Sequence, residues 1–132
     1  DKLSADLAKA IMSIPASKGF EIGDGFASTT KYGSEQLDNW NNDFTTKTNH
    51  SGGIQAGISN GMDINIKAGF KPIASLYRKV ECIDKKGEVH NVENSGRHDR
   101  CFIPRAVVVV EAMVALVIAD HLLRSFTNKL KR

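Results

Sequence analysis

The sequence predicts an α+β domain: antiparallel sheet layered against helices, with a long buried helix at the C-terminal end. Three observations predict it. Apolar residues recur at helical spacing near the start, period-two alternation and a turn-flanked pair of segments fill the middle, and a nearly unbroken apolar stretch follows Pro104. A chain of 132 residues suits one domain, spanning 1–132, with a single core.

The elements follow in order. Leu3, Leu7, Ile11 and Ile14 share one helical face, with Ser4 as N-cap, and Pro15 disfavours helix at Ile14. "KGFEIGDGF" (18–26) mixes apolar residues with three glycines and predicts a short strand with close backbone approaches. Residues 33–53 are polar, asparagine-rich and bounded by glycine, which predicts a long functional or mobile loop that Trp40 pins to a neighbour. In "MDINIKAGF" (62–70), Met62, Ile64, Ile66 and Ala68 alternate with Asp63, Asn65, Lys67 and Gly69, the pattern of a half-buried strand. "ASLYRKVECID" and "EVHNVE" flank Lys85-Lys86-Gly87 as the arms of a hairpin. From Pro104 to about Lys129 runs one helix, apolar nearly all round in its first half and basic at its end.

Composition bounds the function. A net charge of +3 is too small to demand nucleic acid and suits an anionic small ligand. Cys82 and Cys101 form no C-x-x-C pair, and His50, His90, His98 and His121 show no ligand spacing, so neither a disulfide framework nor a metal site is expected. "DKLSADLAKA" lacks the basic-then-apolar pattern of a signal peptide. The run from Ala106 to Ala119, broken by Glu111, is too short to span a bilayer. The expectation is a cytoplasmic protein without membrane or nucleic-acid partners.

Three stretches carry candidate chemistry, each with a plainer alternative. The four glycines of "SGGIQAGISNG" (51–61) present N–H groups to an anion, or simply permit tight turns. In "FKPIAS" (70–75), Lys71 is a phosphate partner held on a stiff turn, or a solvated lysine at a strand end. In "GRHD" (96–99), Arg97 is a bidentate anion clamp, His98 a titratable group and Asp99 an acid–base residue, or the stretch is a charged loop leading into the helix. Glu111, Asp120 and His121 satisfy partners in the core or at an interface. Residue chemistry alone reaches an anion-binding domain.

The segments "AKAIMSIPASKGFEIGDGF", "HSGGIQAGISNG", "FKPIAS" and "GRHDRCFIPRAVVVVEAMVALVIADHLL", in this order, closely resemble the C-terminal part of the chorismate synthase family, over nearly the whole chain. The resemblance implies a lyase of the shikimate pathway, in aromatic amino acid biosynthesis. It would convert 5-enolpyruvylshikimate 3-phosphate to chorismate and phosphate by anti-1,4 elimination, with reduced FMN and no net redox change. It implies flavin contacts at Pro15, Ala16, Ala56, Lys71, Pro72, Ile73, Ala74, Ser75 and Arg97, with Arg97 also near the substrate. It places Asp99 beside flavin N5 as a proton relay and His98 in the same strip. It further implies a fold with helices sandwiched between antiparallel sheets, and a homotetramer for the full-length parent.

Some positions depart from the family pattern. Ala56 stands where glycine is usual, Ile73-Ala74 replaces a more polar Thr-Ser, and Arg100 and Val108 each replace a proline. The family's "GESHG"-type histidine segment, its substrate-binding arginines and its "GRSS"-type flavin loop do not occur in these 132 residues. The chain therefore resembles a C-terminal core fragment, expected to be inactive alone. The alternative reading is a non-catalytic anion-binding or oligomerisation module.

Overall fold

The structure is a computed structural model that describes residues 1–75, 77–93, 95–97 and 99–127. Helix α1 (Leu3–Met12) is followed by strand β1 (Ser17–Ile22), 3-10 turns at Gly25–Thr30 and Gly33–Gln36, and the two-residue strands β2 (Ile54–Gln55) and β3 (Ile58–Ser59). Strands β4 (Ile66–Phe70), β5 (Lys79–Ile83) and β6 (Val89–Glu93) then lead to helix α2 (Ile103–Thr127). Among the described residues the strands pair as three antiparallel ribbons, β1–β4, β2–β3 and β5–β6. The α+β class holds.

The core forms where α1 meets the β1–β4 ribbon and α2. Leu7 and Ile11 are fully buried, and Leu3 and Ile54 nearly so. Around this centre pack Phe20 and Ile22 from one face of β1, Ile66 from β4, and Val114, Val117 and Ile118 from a single stripe of α2. Those spacings, i and i+2 on the strand, i, i+3 and i+4 on the helix, are what each period requires of a core-facing side. At the far end of α2, His121 Nε2 lies 2.8 Å from Asp6 Oδ2 and Arg124 contacts Asp1, which fixes that end to α1.

Several local expectations change. The helix α1 starts at Leu3 with Lys2 at the cap position and no side-chain cap, so Ser4 lies inside the first turn. The Leu3 N–H donates instead to the Gly57 carbonyl oxygen at 2.9 Å, a tertiary contact that satisfies the exposed helix end. The alternation over 62–70 yields a strand only from Ile66. Upstream of it, the Asn65 N–H donates to the Gly52 carbonyl where two chain segments cross.

The largest change concerns α2. Pro104 does sit in its first turn, and the helix runs to Thr127, the last described residue, but its first half is not buried. Among its described residues only Ala106 is buried, and Leu116 is 66% exposed. One short helix and one narrow ribbon can cover only the Val114–Ile118 stripe of a helix that is apolar nearly all round. Its length also exceeds the Ala106–Ala119 run. Ile103 and the Leu122–Leu123–Phe126 end extend it to 25 residues, and its most apolar 18-residue window has mean hydropathy 2.2, so the helix is long and apolar enough to cross a membrane by length and composition alone.

The polar stretch 33–53 is internally bonded rather than loose. The Asp38 carboxylate accepts the His50 and Ser51 N–H groups and the Thr48 hydroxyl, at 2.7–2.9 Å. Trp40 bridges through its backbone to Thr46 within its own loop, and its side chain is more than half exposed. Burial pushes the Asp38 carboxyl up, but these hydrogen bonds outweigh it and bring it down from 3.8 to about 2. A carboxyl depressed in the folded state stabilises above its unfolded value, and that contribution is lost as pH falls from about 4 through about 2. An acid step in the fluorescence of Trp40, the single tryptophan, is therefore expected in that window and should shrink in Asp38→Asn. Superimposable acid titrations of the two proteins would show that Asp38 does not hold this loop.

Candidate functional site

The β1–β4 register builds the candidate site. Ser17 pairs with Phe70, so the residues just outside the ribbon, Ala16 and Lys71, become neighbours. The Lys71 N–H donates to the Ala16 carbonyl oxygen at 2.9 Å. Ala16 takes φ +68, the left-handed region, which turns the chain sharply after Pro15 and presents that carbonyl.

The second wall comes from the approach to α2. Phe70 and Phe102 meet edge to face, ring centres 5.8 Å apart, which docks residues 100–103 against residues 70–73. Between them lies an open pocket of about 280 Å³ with Pro72, Phe70 and Phe102 as apolar surface and Lys71 and Arg100 among its lining residues. Tyr77 donates through its hydroxyl to the Gly96 carbonyl at 3.0 Å, which ties the start of the "GRHD" strip back to the segment that follows Ser75. Asp99 is ion-paired with Arg105 from the first turn of α2.

The expected site residues thus separate into two groups. Ala16 meets Lys71, Lys71 to Ile73 line the pocket, and Asp99 adjoins Arg100 of its second wall in the chain. Ala74 and Arg97 are exposed and Ser75 is half-buried, and no contact among the described residues joins these three to the pocket. His98 lies outside the described residues. Ala56 is not brought to this group. It forms the tip of the β2–β3 turn with Gly57, both at positive φ, and that turn contacts the opposite end of α1, about 15 Å away along a ten-residue helix.

The glycines of 51–61 settle toward turns and close crossings. Gly52 and Gly53 take positive φ, and their N–H groups go to the carbonyl and side-chain oxygens of Asn49, so neither is offered to an anion. A Cβ on Gly52 would meet Gly23 backbone, its Cα at 2.6 Å. The sequence offers both Arg97 and Arg105 as partners for Asp99, and the structure pairs it with Arg105.

The arrangement is a pair of cations, Lys71 and Arg100, beside an aromatic surface, with Asp99 next to Arg100 in the chain. It suits an anionic ligand that carries a flat apolar part. The chorismate synthase family profile matches residues 1–123. The chain belongs to the chorismate synthase family. It is 56% identical over 128 residues to the chorismate synthase of Prochlorococcus marinus (strain NATL1A), covering 94% of this chain and 36% of that protein. It is 53% identical over 130 residues to the chorismate synthase of Christiangramia forsetii (strain DSM 17595 / CGMCC 1.15422 / KT0803), covering 98% of this chain and 37% of the relative. A crystal structure of chorismate synthase superimposes with a TM-score of 0.67 at 32% identity, over 94% of this chain and 30% of the solved one. The chain thus spans about a third of the length of the chorismate synthases it matches.

Proposed function

We propose that this chain supplies one wall of a chorismate synthase active site, in which 5-enolpyruvylshikimate 3-phosphate loses phosphate and a proton to give chorismate. The observation that carries the reading is the Asp99 carboxylate, paired with Arg105 beside the Lys71/Arg100 pocket. An elimination of phosphate needs cations where negative charge develops on the leaving oxygen, and a group that can hold a proton near the C–H bond that breaks.

Reduced FMN fits the same wall. The edge-to-face Phe70–Phe102 pair and Pro72 offer apolar surface for a ring system, and Lys71 offers a cation for a phosphate. When bound, the flavin would supply electron density to the substrate as phosphate leaves. Pro15, Ala16, Lys71 to Ser75 and Arg97 would hold it. Ala56 would reach it only if that turn faces another part of the complete protein. Lys71, Arg97 and Arg100 orient and neutralise the phosphate, and Asp99 carries the proton, with His98 beside it in the strip. The complete enzyme would be a cytoplasmic homotetramer. The 132 residues alone would not turn over, because most of the phosphate's cationic partners would come from the other two-thirds of the relatives' length.

The exposed apolar faces of α2 favour one other reading, an assembly module without catalysis. The deciding assay is phosphate and chorismate formation from 5-enolpyruvylshikimate 3-phosphate and reduced FMN by a full-length protein carrying this segment. Equal amounts of both products, absent without flavin, support the enzyme. No product from folded protein supports the module. Release by the 132-residue chain alone would overturn the expected division of labour.

Arg97→Ala in that protein should weaken both FMN and substrate binding. A charge-assisted hydrogen bond contributes about 1.5–3 kcal/mol, or about 10- to 150-fold in Kd. A surface ion pair predicts almost no change. Unaltered dissociation constants in flavin absorbance titrations would remove Arg97 from the site.

A further inference from the structure

The β5–β6 hairpin gathers four metal-binding residue types on one face. Cys82 and His90 are direct cross-strand partners, and such partners share a face with Cβ atoms about 4.5–5.5 Å apart. Asp84 follows Cys82 by two residues and Glu88 precedes His90 by two, so the pleat returns both to that face. The turn keeps the face continuous. The Asp84 N–H donates to the Glu88 carbonyl, the Gly87 N–H donates to the Asp84 carbonyl, and Gly87 takes φ +86 in a three-residue loop.

One ligand atom each from Asp84, Glu88 and His90 lie within 4.8 Å of one another. The two oxygens of Asp84 divide the work. Oδ1 accepts the Lys86 and Glu88 N–H groups at 2.8 and 2.9 Å and fixes the turn, while Oδ2 faces His90 Nε2 at 3.2 Å. The carboxylate is thus oriented toward the imidazole by the backbone itself. Cys82 is a free, exposed thiol. We propose that this face is a binding site for a divalent transition metal of the zinc type, built on the clustered Asp84, Glu88 and His90 groups, with the thiolate of Cys82, the cross-strand partner of His90 and not itself one of that cluster, turning in to complete the set. A mixed nitrogen, sulfur and oxygen set suits Zn²⁺ or Co²⁺ and not Mg²⁺ or Ca²⁺, which take oxygen. The pattern C-x-D-x₃-E-x-H has the period of a strand pair, which a search for C-x-x-C spacing passes over.

Titration of the reduced chain with Co²⁺, followed by thiolate-to-cobalt charge-transfer absorption and then by displacement with Zn²⁺, tests the site. One equivalent should saturate the band, and Zn²⁺ should abolish it. Cys82→Ser should remove the band, His90→Ala should weaken binding by about 100-fold or more, and Cys101→Ser should leave it intact. Cys82 and His90 are exposed on the hairpin and Cys101 is exposed just before α2, so circular dichroism should be unchanged in each variant. Absence of a saturable band, a band that survives Cys82→Ser, or one lost instead in Cys101→Ser overturns the proposal.

Discussion

Asp99→Asn in a full-length protein carrying this segment is expected to lower kcat by about 10²–10⁴-fold, the usual contribution of a positioned acid–base group. That corresponds to roughly 3–5 kcal/mol of barrier. Asparagine keeps the shape of the side chain and still accepts a hydrogen bond from Arg105. The Asp99–Arg105 pair is more than half exposed on both sides, so its loss should cost the fold little. What disappears is the capacity to hold a proton. FMN affinity should therefore change little while the chemical step slows. If Asp99 serves only to orient Arg105, binding should fall together with rate. If the pair is merely a surface contact, neither should move. Single-turnover absorbance with saturating substrate, alongside a flavin titration, separates the three. A mutant that forms its complex and reacts at the parental rate would take Asp99 out of the mechanism.

Gly52→Ala is expected to be among the most damaging small substitutions in the scaffold. Gly52 takes φ +63, and an added Cβ would press on the backbone of Gly23, which cannot swing aside as a side chain could. Left-handed backbone costs a non-glycine residue about 1–2 kcal/mol, and forced overpacking about 1–3 kcal/mol. The sum is a large share of the 5–15 kcal/mol that typically separates folded from unfolded. Gly61 provides the control. It takes φ +89, yet a Cβ there would meet nothing within 4 Å, so Gly61→Ala should cost only the backbone part. Urea unfolding of the two mutants measures the difference. Equal midpoints would show that the Gly23–Gly52 crossing tolerates a methyl group.

The elements legible in the sequence were those with a sustained period. The Leu3/Leu7/Ile11 stripe gave α1, the arms around Lys85-Lys86-Gly87 gave the β5–β6 hairpin, and Pro104 marked the first turn of α2. Two-residue strands such as β2 and β3 carry no period, so "SGGIQAGISNG" offered only its glycines. Ser4 looked like a cap because local preference does not know that Gly57 supplies an acceptor from across the fold. The burial expected for α2 failed because apolar character states what a helix can bury and not what lies beside it. The polar stretch 33–53 looked loose because a carboxylate such as Asp38, which organises three donors 10–13 residues away, has no pattern before folding.

The site was legible in parts and not as a whole. Lys71 and Arg97 stood out by type and context, but the meeting of Lys71 with Ala16 depends on the Ser17–Phe70 register, and Asp99's link to Arg105 depends on the entry angle of α2. The resemblance to the chorismate synthase family named Ala56 with the rest. The fold separates it from them by the length of α1.

Hydrogen–deuterium exchange on the full-length protein, free and then saturated with FMN and 5-enolpyruvylshikimate 3-phosphate, tests most directly whether this wall faces flavin and substrate. Protection is expected at residues 16–17, 73–75, 96–97 and 99–103, with the β5–β6 hairpin unchanged. Ligand-induced protection that leaves these residues untouched and appears elsewhere would contradict the assignment.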